Sequence, residues 1–169
     1  VKSAKKFKES KLIRWFGLDK NKTRLENDIT LQGYKYHMNN VNATIGIVQL
    51  EYFDKILNAY INNGKYFDKA LKNIPGLELM EYYENSKPSY WLYTMKVKKR
   101  DRFIKMMENN GVMASPLHKR NDIHSIFKQS KTNLPNVDAF NKEWIHIPCG
   151  WWVSKKDRRF IADTIRKGW

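Results

Sequence analysis

The 169-residue sequence predicts an α+β chain in which one long helix leads into a compact unit of strands and helices. Apolar residues recur at every third or fourth position between Val41 and Ala59, which is typical of a helix with one buried face. Residues 77–80 and 90–97 are rich in apolar and aromatic side chains and favour strands. Shorter amphipathic segments follow these strands and favour helices.

The first predicted element is an amphipathic helix over residues 5–16, with Gly17 as the residue that ends it. A polar loop is predicted from residue 20 to residue 29. Asn39 and Asn40 follow this loop, and an asparagine side chain there would accept a hydrogen bond from the first turn of the long helix.

The long helix is predicted to continue to about Leu71, because Pro75 and Gly76 prevent a further extension. Its buried face is expected to comprise Val41, Ile45, Val48, Tyr52, Ile56 and Ala59.

The chain after the strands at 77–80 and 90–97 shows three more short elements. Asp101 is expected to cap a helix that ends at Gly111. Residues 112–115 are expected to form a short strand, which Pro116 closes. A short helix is predicted over residues 135–144.

The last predicted elements are a strand over residues 144–148 and a C-terminal helix. Ser154 and Asp157 have the spacing of a capping box, with Asp in place of the usual Glu or Gln. The helix should end at Gly168, with an inward face of Phe160, Ile161, Thr164 and Ile165.

The charge balance raises the possibility of a nucleic-acid partner, because the formal net charge is +15. The basic residues are scattered, however, and residues 96–102 contain the one dense basic cluster, for which a solvated face is the preferred interpretation. The sequence therefore predicts no nucleic-acid partner and leaves anionic small molecules as plausible partners.

The cysteine and histidine content indicates a redox compartment and argues against a metal site. Cys149 is the single cysteine, so no internal disulfide can form, which suits a reducing compartment. The four histidines lack the spacing of metal ligands, so no metal site is predicted. No apolar run reaches the roughly 18 residues of a membrane helix. The chain is expected to be cytoplasmic, without a membrane partner.

Four segments carry motifs in the order of one known family. Residues 14–19 contain an Arg-x-x-Gly element, and residues 33–50 run from Gly-Tyr-Lys-Tyr-His-Met-Asn-Asn to Gln-Leu. Residues 111–122 include Gly-Val-Met-Ala-Ser, and residues 147–158 include Ile-Pro-Cys-Gly-Trp-Trp. In these segments the chain resembles the sugar-nucleotide aminotransferases of the DegT/DnrJ/StrS type, which are pyridoxal-phosphate enzymes of fold type I.

The resemblance implies an α/β enzyme, of which this chain holds mainly the α+β small domain and the tail of the large domain. Residues 1–58 are expected to be the tail of the large, cofactor-binding domain with the start of the long helix, and residues 59–169 the small domain. In the family, the lysine that forms a Schiff base with the cofactor lies upstream of these segments. The chain is therefore expected to be a C-terminal fragment, inactive alone and without a catalytic residue.

The resemblance also implies a cofactor site. In the family, the segment similar to residues 33–40 reaches across a homodimer to the cofactor phosphate of the other subunit. Lys35 stands where the family usually has asparagine, His37 where it has arginine, and Asn40 where it has aspartate. Lys35 and Asn40 are thus expected to bind the phosphate of pyridoxal 5'-phosphate, one by its charge and one at a helix start.

The implied sugar-nucleotide site lies in the small-domain loop. The expected substrate-binding residues are His118, Arg120 and Asn121. The arginine can form two hydrogen bonds to a diphosphate, and the other two side chains can form hydrogen bonds to a sugar or a base. The alternative is structural: Arg120 pairs with Asp122, which caps the following turn. Both alternatives stay open from the sequence.

The implied function is amino transfer from an amino acid, expected to be glutamate, to a keto sugar of a nucleoside-diphosphate sugar. Two alternatives remain. One is a non-catalytic binding or dimerisation module that reuses the small domain. The other, less favoured, is a basic nucleic-acid-binding domain.

Overall fold

The computed structural model describes residues 2–23, 25–118 and 120–169, and it divides into two compact units, Val1–Tyr52 and Phe53–Trp169. Arg24 of the predicted polar loop and Lys119 of the predicted substrate loop lie outside the described residues. The division into domains at residues 58 and 59 stays a prediction.

The first unit begins with helix α1, Ala4–Ile13, and the Ser3 side chain caps this helix by accepting a hydrogen bond from the Lys6 amide. The helix ends three residues before the predicted residue 16 because the chain turns there. Phe16 and Gly17 both have positive φ angles, 55° and 79°, which a continuing helix does not allow. The described residues of the predicted loop 20–29 contain no helix or strand, as expected.

Helix α2, Asn40–Ala70, confirms the predicted long helix. Its cap is Asn39, whose Oδ1 accepts a hydrogen bond from the amide of Asn42 at 2.8 Å. The predicted buried face is wrong in its first half: Val41, Ile45, Val48 and Tyr52 are exposed, and Ile56 and Ala59 are half-buried. The helices and loops of the first unit do not form a hydrophobic core. Among the residues described there, only Gly17 is buried.

The second unit contains a three-stranded antiparallel sheet in the order β1-β2-β3. The strands are β1, Leu77–Leu79; β2, Tyr93–Val97; and β3, Trp144–Ile147. The edge strands pair with β2 in registers that bring Leu77 opposite Val97 and Tyr93 opposite Ile147.

Three helices accompany this sheet: α3, Arg100–Asn109; α4, Pro135–Glu143; and α5, Lys155–Arg166. Most core side chains come from α2, the sheet, α3 and α5, and loop residues add the rest. The largest fully buried side chains are Tyr93, Phe67, Phe103, Leu71, Met95, Met107 and Ile145. Two short 3-10 turns, Asn121–Ile123 and Ser125–Ser130, precede α4.

Two details of the second unit differ from the prediction. Asp101 does not cap α3, because the helix already begins at Arg100 after Lys99, whose φ is 55° and whose side chain makes no capping bond. Residues 112–115 form no strand. Ser115 alone pairs with His146, and Pro116 then supplies no N–H to extend the pairing.

The C-terminal helix confirms the capping box. The Asp157 amide donates to Ser154 Oγ at 3.1 Å, and the Ser154 amide donates to Asp157 Oδ2 at 3.0 Å. Its buried face comprises Ile161, Ala162, Thr164 and Ile165. Phe160, predicted to point inward, lies at the edge of this face and is 49% exposed.

A buried asparagine in α2 forms hydrogen bonds with the segment between β3 and α5. Asn63 Nδ2 donates to the carbonyl oxygens of Gly150 and Val153, each at 3.0 Å. Its Oδ1 accepts from Arg158 Nη1 at 3.1 Å. A buried amide is stable only when its donors and acceptors are paired, so Asn63 fixes this crossing between helix and loop.

None of the helices in the described part of the chain combines the length and the apolar character that crossing a membrane requires.

Replacing Gly64 by alanine is expected to destabilise the second unit, although alanine is normally the better helix residue by about 1 kcal/mol. A Cβ on Gly64 would collide with the ring of Tyr90, with Cδ2 2.6 Å away. Helix α2 and the Tyr90 ring would have to move apart, and such overpacking lowers the free energy of unfolding by about 1–3 kcal/mol. Urea unfolding followed by circular dichroism measures the change.

Lys65→Ala, at the exposed next position, is the control and should change stability by less than about 0.5 kcal/mol. Adding Gly64→Ala to a Tyr90→Ala variant should cause little further loss, because the ring is then gone. A higher urea midpoint for Gly64→Ala in the otherwise unchanged chain would contradict this packing.

Candidate functional site

Gly33 lets the 33–36 segment lie directly on the end of α1. A Cβ on Gly33 would collide with the main-chain nitrogen of Gly17 and would lie 2.7 Å from the carbonyl carbon of Phe16. The two segments pair antiparallel, with a bridge between Trp15 and Lys35. A residue with a side chain at position 33 could not make this approach.

Three main-chain hydrogen bonds hold the two segments together. The Tyr34 amide donates to the Ile13 carbonyl at 2.7 Å, and the Phe16 amide donates to the Tyr34 carbonyl at 3.2 Å. The Tyr36 amide donates to the Arg14 carbonyl at 3.0 Å. This ladder fixes which side chains of the loop meet Trp15.

A basic cluster surrounds Trp15, comprising Arg14, Lys20, Lys35 and His37. Lys20 Nζ lies 4.3 Å from the centroid of the Trp15 ring, and Lys35 Nζ lies 5.5 Å from it. The His37 ring packs edge-on against Trp15 at 5.2 Å between centroids. Lys20 Nζ is also 2.9 Å from His37 Nε2. The indole ring therefore attracts both lysine ammonium groups, and the imidazole ring also contacts that of Lys20.

Electrostatics keep His37 neutral. Partial burial lowers the pKa of His37, and the positive charges of Lys20, Arg14 and Lys35 lower it further. A neutral ring can accept the hydrogen bond from Lys20 at Nε2.

The basic cluster contains no neutralising ion pair in the part of the chain that the structure describes. Arg14, Lys20 and Lys35 form no salt bridge there. The nearby Asp19 Oδ1 instead accepts hydrogen bonds from the amide and the side chain of Asn21. Ammonium groups without a carboxylate suit an anion such as a phosphate or a carboxylate.

Asn40, the second predicted cofactor ligand, is exposed as the first residue of α2. Its carbonyl oxygen accepts a hydrogen bond from Thr44 Oγ1 at 2.8 Å. The side chain that caps the helix belongs to Asn39, so the Asn40 side chain is not needed for capping. The cofactor roles of Lys35 and Asn40 stay predictions.

An aromatic cleft of about 360 Å³ lies in the second unit. His118 and Arg120, two of the three predicted substrate residues, line it together with Thr94, Val137, Phe140, Asn141, Trp144 and His146. The Trp144 ring is nearly parallel to the rings of Phe140 and His118, at 5.9 and 6.4 Å between centroids. Asn121 is exposed in the adjacent 3-10 turn and is not part of this lining.

Arg120 forms ion pairs with two carboxylates. Its Nε and Nη2 donate to Asp122 at 2.9 and 2.5 Å, and its Nη1 donates to Asp138. Hydrogen bonding to Asp122 raises the pKa of Arg120 and lowers that of Asp122. The pairing left open by the sequence is thus present, and a direct diphosphate contact by Arg120 stays a prediction.

His146 is buried at the floor of the aromatic cleft. Its Nδ1 lies 2.9 Å from Thr94 Oγ1, and its ring meets Trp144 edge-on at 4.8 Å. Its Nε2 has no hydrogen-bond partner among the described residues. Burial lowers the pKa of His146, and His118 lowers it further, so the ring stays neutral near pH 7.

Two residues of these sites, Lys20 and His146, were not predicted from the sequence. Lys20 lies in the predicted polar loop, and no pattern in the neighbouring sequence predicts its contact with His37. His146 carried a signal, since it is the one polar residue of the apolar strand Trp144–Ile147.

Within residues 2–23, 25–118 and 120–169, no three His, Cys, Asp or Glu side chains converge in a way that could hold a metal ion.

Residues 2–166 match the family described as the DegT/DnrJ/EryC1/StrS aminotransferase family. Among curated proteins, the chain is 25% identical over 162 residues to the UDP-4-amino-4,6-dideoxy-N-acetyl-beta-L-altrosamine transaminase of Campylobacter jejuni, covering 92% of this chain and 43% of the relative. It is 26% identical over 125 residues to the GDP-perosamine synthase of Vibrio cholerae, covering 70% of this chain and 34% of the relative. The chain thus spans less than half the length of these relatives.

Two solved structures have the same fold as this chain. AtS13 from Actinomadura melliaura has a TM-score of 0.95 and 35% identity, over 99% of this chain and 45% of its own. The sugar aminotransferase CalS13 from Micromonospora echinospora has a TM-score of 0.93 and 31% identity, over 99% of this chain and 46% of its own. The predicted fold class, that of a fold type I aminotransferase with this chain as its mainly α+β portion, is confirmed.

Acidification is expected to destabilise the second unit through His146. Its pKa in the folded chain lies below the usual value of about 6.5, so in acid the unfolded chain binds a proton that the folded chain excludes. The free energy of unfolding should therefore fall as the pH decreases below about 6.5. Urea unfolding at about pH 7.5 and about pH 5.5 measures this loss.

His146→Gln keeps a polar partner for Thr94 but cannot titrate, so its loss on acidification should be smaller. His124→Gln, at an exposed position, is the matched control and should behave like the unmodified chain. Equal losses in the two variants would exclude His146 as the origin.

Proposed function

The chain belongs to the DegT/DnrJ/EryC1/StrS aminotransferase family, and we propose that it is the C-terminal portion of a pyridoxal-phosphate enzyme that aminates nucleotide sugars. The acceptor is a keto sugar of a nucleoside-diphosphate sugar, and the amino donor is an amino acid, glutamate in this proposal. Two relatives, a UDP-4-amino-4,6-dideoxy-N-acetyl-beta-L-altrosamine transaminase and a GDP-perosamine synthase, support this class of substrate by their names.

The observation that carries the proposal is the basic cluster around Trp15. The phosphate of pyridoxal phosphate is a compact anion, and Lys20 and Lys35 present ammonium groups that no described carboxylate neutralises. The donor set therefore fits the phosphate end of this cofactor. When bound, the cofactor supplies the electron sink that amino transfer requires.

In the proposal, Lys35 and Asn40 hold the cofactor phosphate of the other subunit in a homodimer. Lys35 contributes a positive charge, and the start of α2 at Asn40 contributes free amide groups and the positive end of the helix dipole. The lysine that binds the cofactor covalently belongs to a preceding part of the same polypeptide. This chain then positions the cofactor and contributes no covalent step.

The sugar nucleotide is assigned to His118 and Arg120, which line the aromatic cleft, and to Asn121 in the adjacent 3-10 turn. His118 can bond a sugar hydroxyl or a phosphate oxygen, and Asn121 is exposed and free of the cleft lining. Arg120 contacts the diphosphate in this proposal by exchanging one aspartate partner for a phosphate oxygen. A bond from Arg120 to a phosphate oxygen would be charge-assisted, like the bonds to Asp122 and Asp138 that it would partly replace.

Lys35→Ala is expected to weaken cofactor retention in the full-length protein while leaving its folding almost unchanged, because Lys35 is exposed. Loss of a charge-assisted phosphate contact corresponds to about 1.5–3 kcal/mol of binding free energy. Cofactor released on dialysis, measured by absorbance, gives the retention. Lys22→Ala is the control, since Lys22 is an exposed lysine of the same unit outside the basic cluster.

Subunit mixing tests whether Lys35 acts across the interface. A Lys35→Ala subunit is combined with a subunit that lacks only the cofactor lysine, and transamination of a nucleoside-diphosphate keto sugar with glutamate is assayed. A heterodimer should contain one site with both lesions and one intact site, so activity should reappear. Heterodimers that form without regaining activity would exclude a role for Lys35 in the site of the other subunit.

A further inference from the structure

We infer that Lys20 is a second phosphate-binding cation, held in position by Trp15 and His37 and acting beside Lys35. This inference rests on the proposed function, because it assigns a further residue to the same anion site. Neither the sequence motifs nor the predicted ligand set contains Lys20.

Two contacts orient the Lys20 ammonium group. It lies 4.3 Å from the Trp15 ring centroid, the distance of a cation–π interaction, and 2.9 Å from His37 Nε2. A lysine ammonium carries three N–H donors, so one directed at His37 leaves two for another acceptor. An exposed lysine would otherwise sample many rotamers, and these contacts reduce the entropy lost on binding an anion.

The side chains of Lys35 and His37 lie on the same face of their segment. Tyr34 and Tyr36 stack on each other at 5.3 Å, while Lys35 Nζ and the His37 ring both contact Trp15. This alternation is that of an extended chain, in which every second side chain shares a face. The Lys20 ammonium group contacts the His37 ring, so it lies beside a side chain that shares a face with Lys35.

Two ammonium groups around one indole ring repel each other unless an anion lies between them. Both are within 6 Å of the Trp15 centroid, so their separation is at most about the Debye length at 0.1 M salt, ~10 Å, and screening does not remove the repulsion. No described carboxylate forms an ion pair with either lysine. A phosphate dianion bound to both would neutralise the pair, which makes phosphate a better ligand here than a carboxylate with one charge.

His37 is a positioning residue in this arrangement. It touches Lys20 and Trp15, and as a neutral acceptor it directs the ammonium group without adding charge to the site. Glutamine at this position would keep a side-chain acceptor for Lys20, whereas alanine would remove it.

The test compares pyridoxal phosphate with pyridoxal, which lacks the phosphate, as ligands of the full-length protein. Lys20→Ala should raise the dissociation constant for pyridoxal phosphate about ten- to a hundred-fold, the usual range for a lost charge-assisted bond. The constant for pyridoxal should not change. Lys22→Ala should leave both constants unchanged, and circular dichroism should show that both variants are folded.

The same comparison tests the role of His37. His37→Ala should weaken binding of pyridoxal phosphate less than Lys20→Ala does, and His37→Gln should restore most of the loss. Adding His37→Ala to Lys20→Ala should cause little further weakening, because His37 acts through Lys20.

Two results would overturn the inference. One is a Lys20→Ala protein that binds pyridoxal phosphate as tightly as the unmodified protein. The other is an equal loss for pyridoxal and pyridoxal phosphate, which would mean that the substitution does not act through the phosphate.

Failure of the proposed function gives a different result. If the unmodified full-length protein retains no pyridoxal phosphate, the cofactor assignment is wrong, and titration with inorganic phosphate then tests Lys20 alone. Phosphate binding that is weakened by Lys20→Ala and not by Lys22→Ala would still support the anion site. Phosphate binding that is equal in the two variants would contradict it.

Discussion

The close approach of Gly33 to Gly17 is the constraint on which the basic cluster depends. Because Gly33 has no side chain, the loop can pair its backbone with residues 13–16 through three hydrogen bonds. That pairing places Lys35 and His37 on Trp15, and His37 in turn fixes Lys20. A local main-chain contact thereby collects cations from three separate stretches of sequence around one aromatic ring.

Helix α2 changes character along its length. Its second half is anchored in the core of the second unit by Asn63 and Phe67. Its first half exposes large apolar residues, with Val41 69%, Leu50 69% and Phe53 53% accessible. Exposed apolar surface of this extent marks an interaction surface. In the proposed enzyme, the preceding part of the polypeptide and the second subunit provide apolar surface to cover it.

The sequence predicted most of the regular structure because those elements are encoded locally. The start of α2 follows from asparagine capping, α5 from the Ser154–Asp157 capping box, and the three strands from their apolar composition. Local patterns were insufficient where contacts with distant parts of the protein determine whether a residue is buried. Periodicity predicted a buried apolar face for α2, but it could not show whether anything in the chain covers that face, and the first half is exposed.

The candidate site was less predictable for the same reason. Motif similarity singled out Lys35, but the contact of Lys20 with His37 joins residues 17 positions apart and depends on the Gly33 backbone pairing. Similarly, the pairing of Arg120 with Asp138 spans 18 positions and forms because α4 brings that carboxylate to the loop. No local signal in the sequence predicts such contacts.

The central claim is that the basic cluster on Trp15 faces a cofactor phosphate across a subunit interface. A crystal structure of the full-length protein with pyridoxal phosphate tests it most directly. The account predicts that phosphate oxygens lie about 3 Å from Lys35 Nζ, with the lysine and the covalently bound cofactor in different subunits. A cofactor whose phosphate is bound wholly by its own subunit, with Lys35 directed to solvent, would contradict the account.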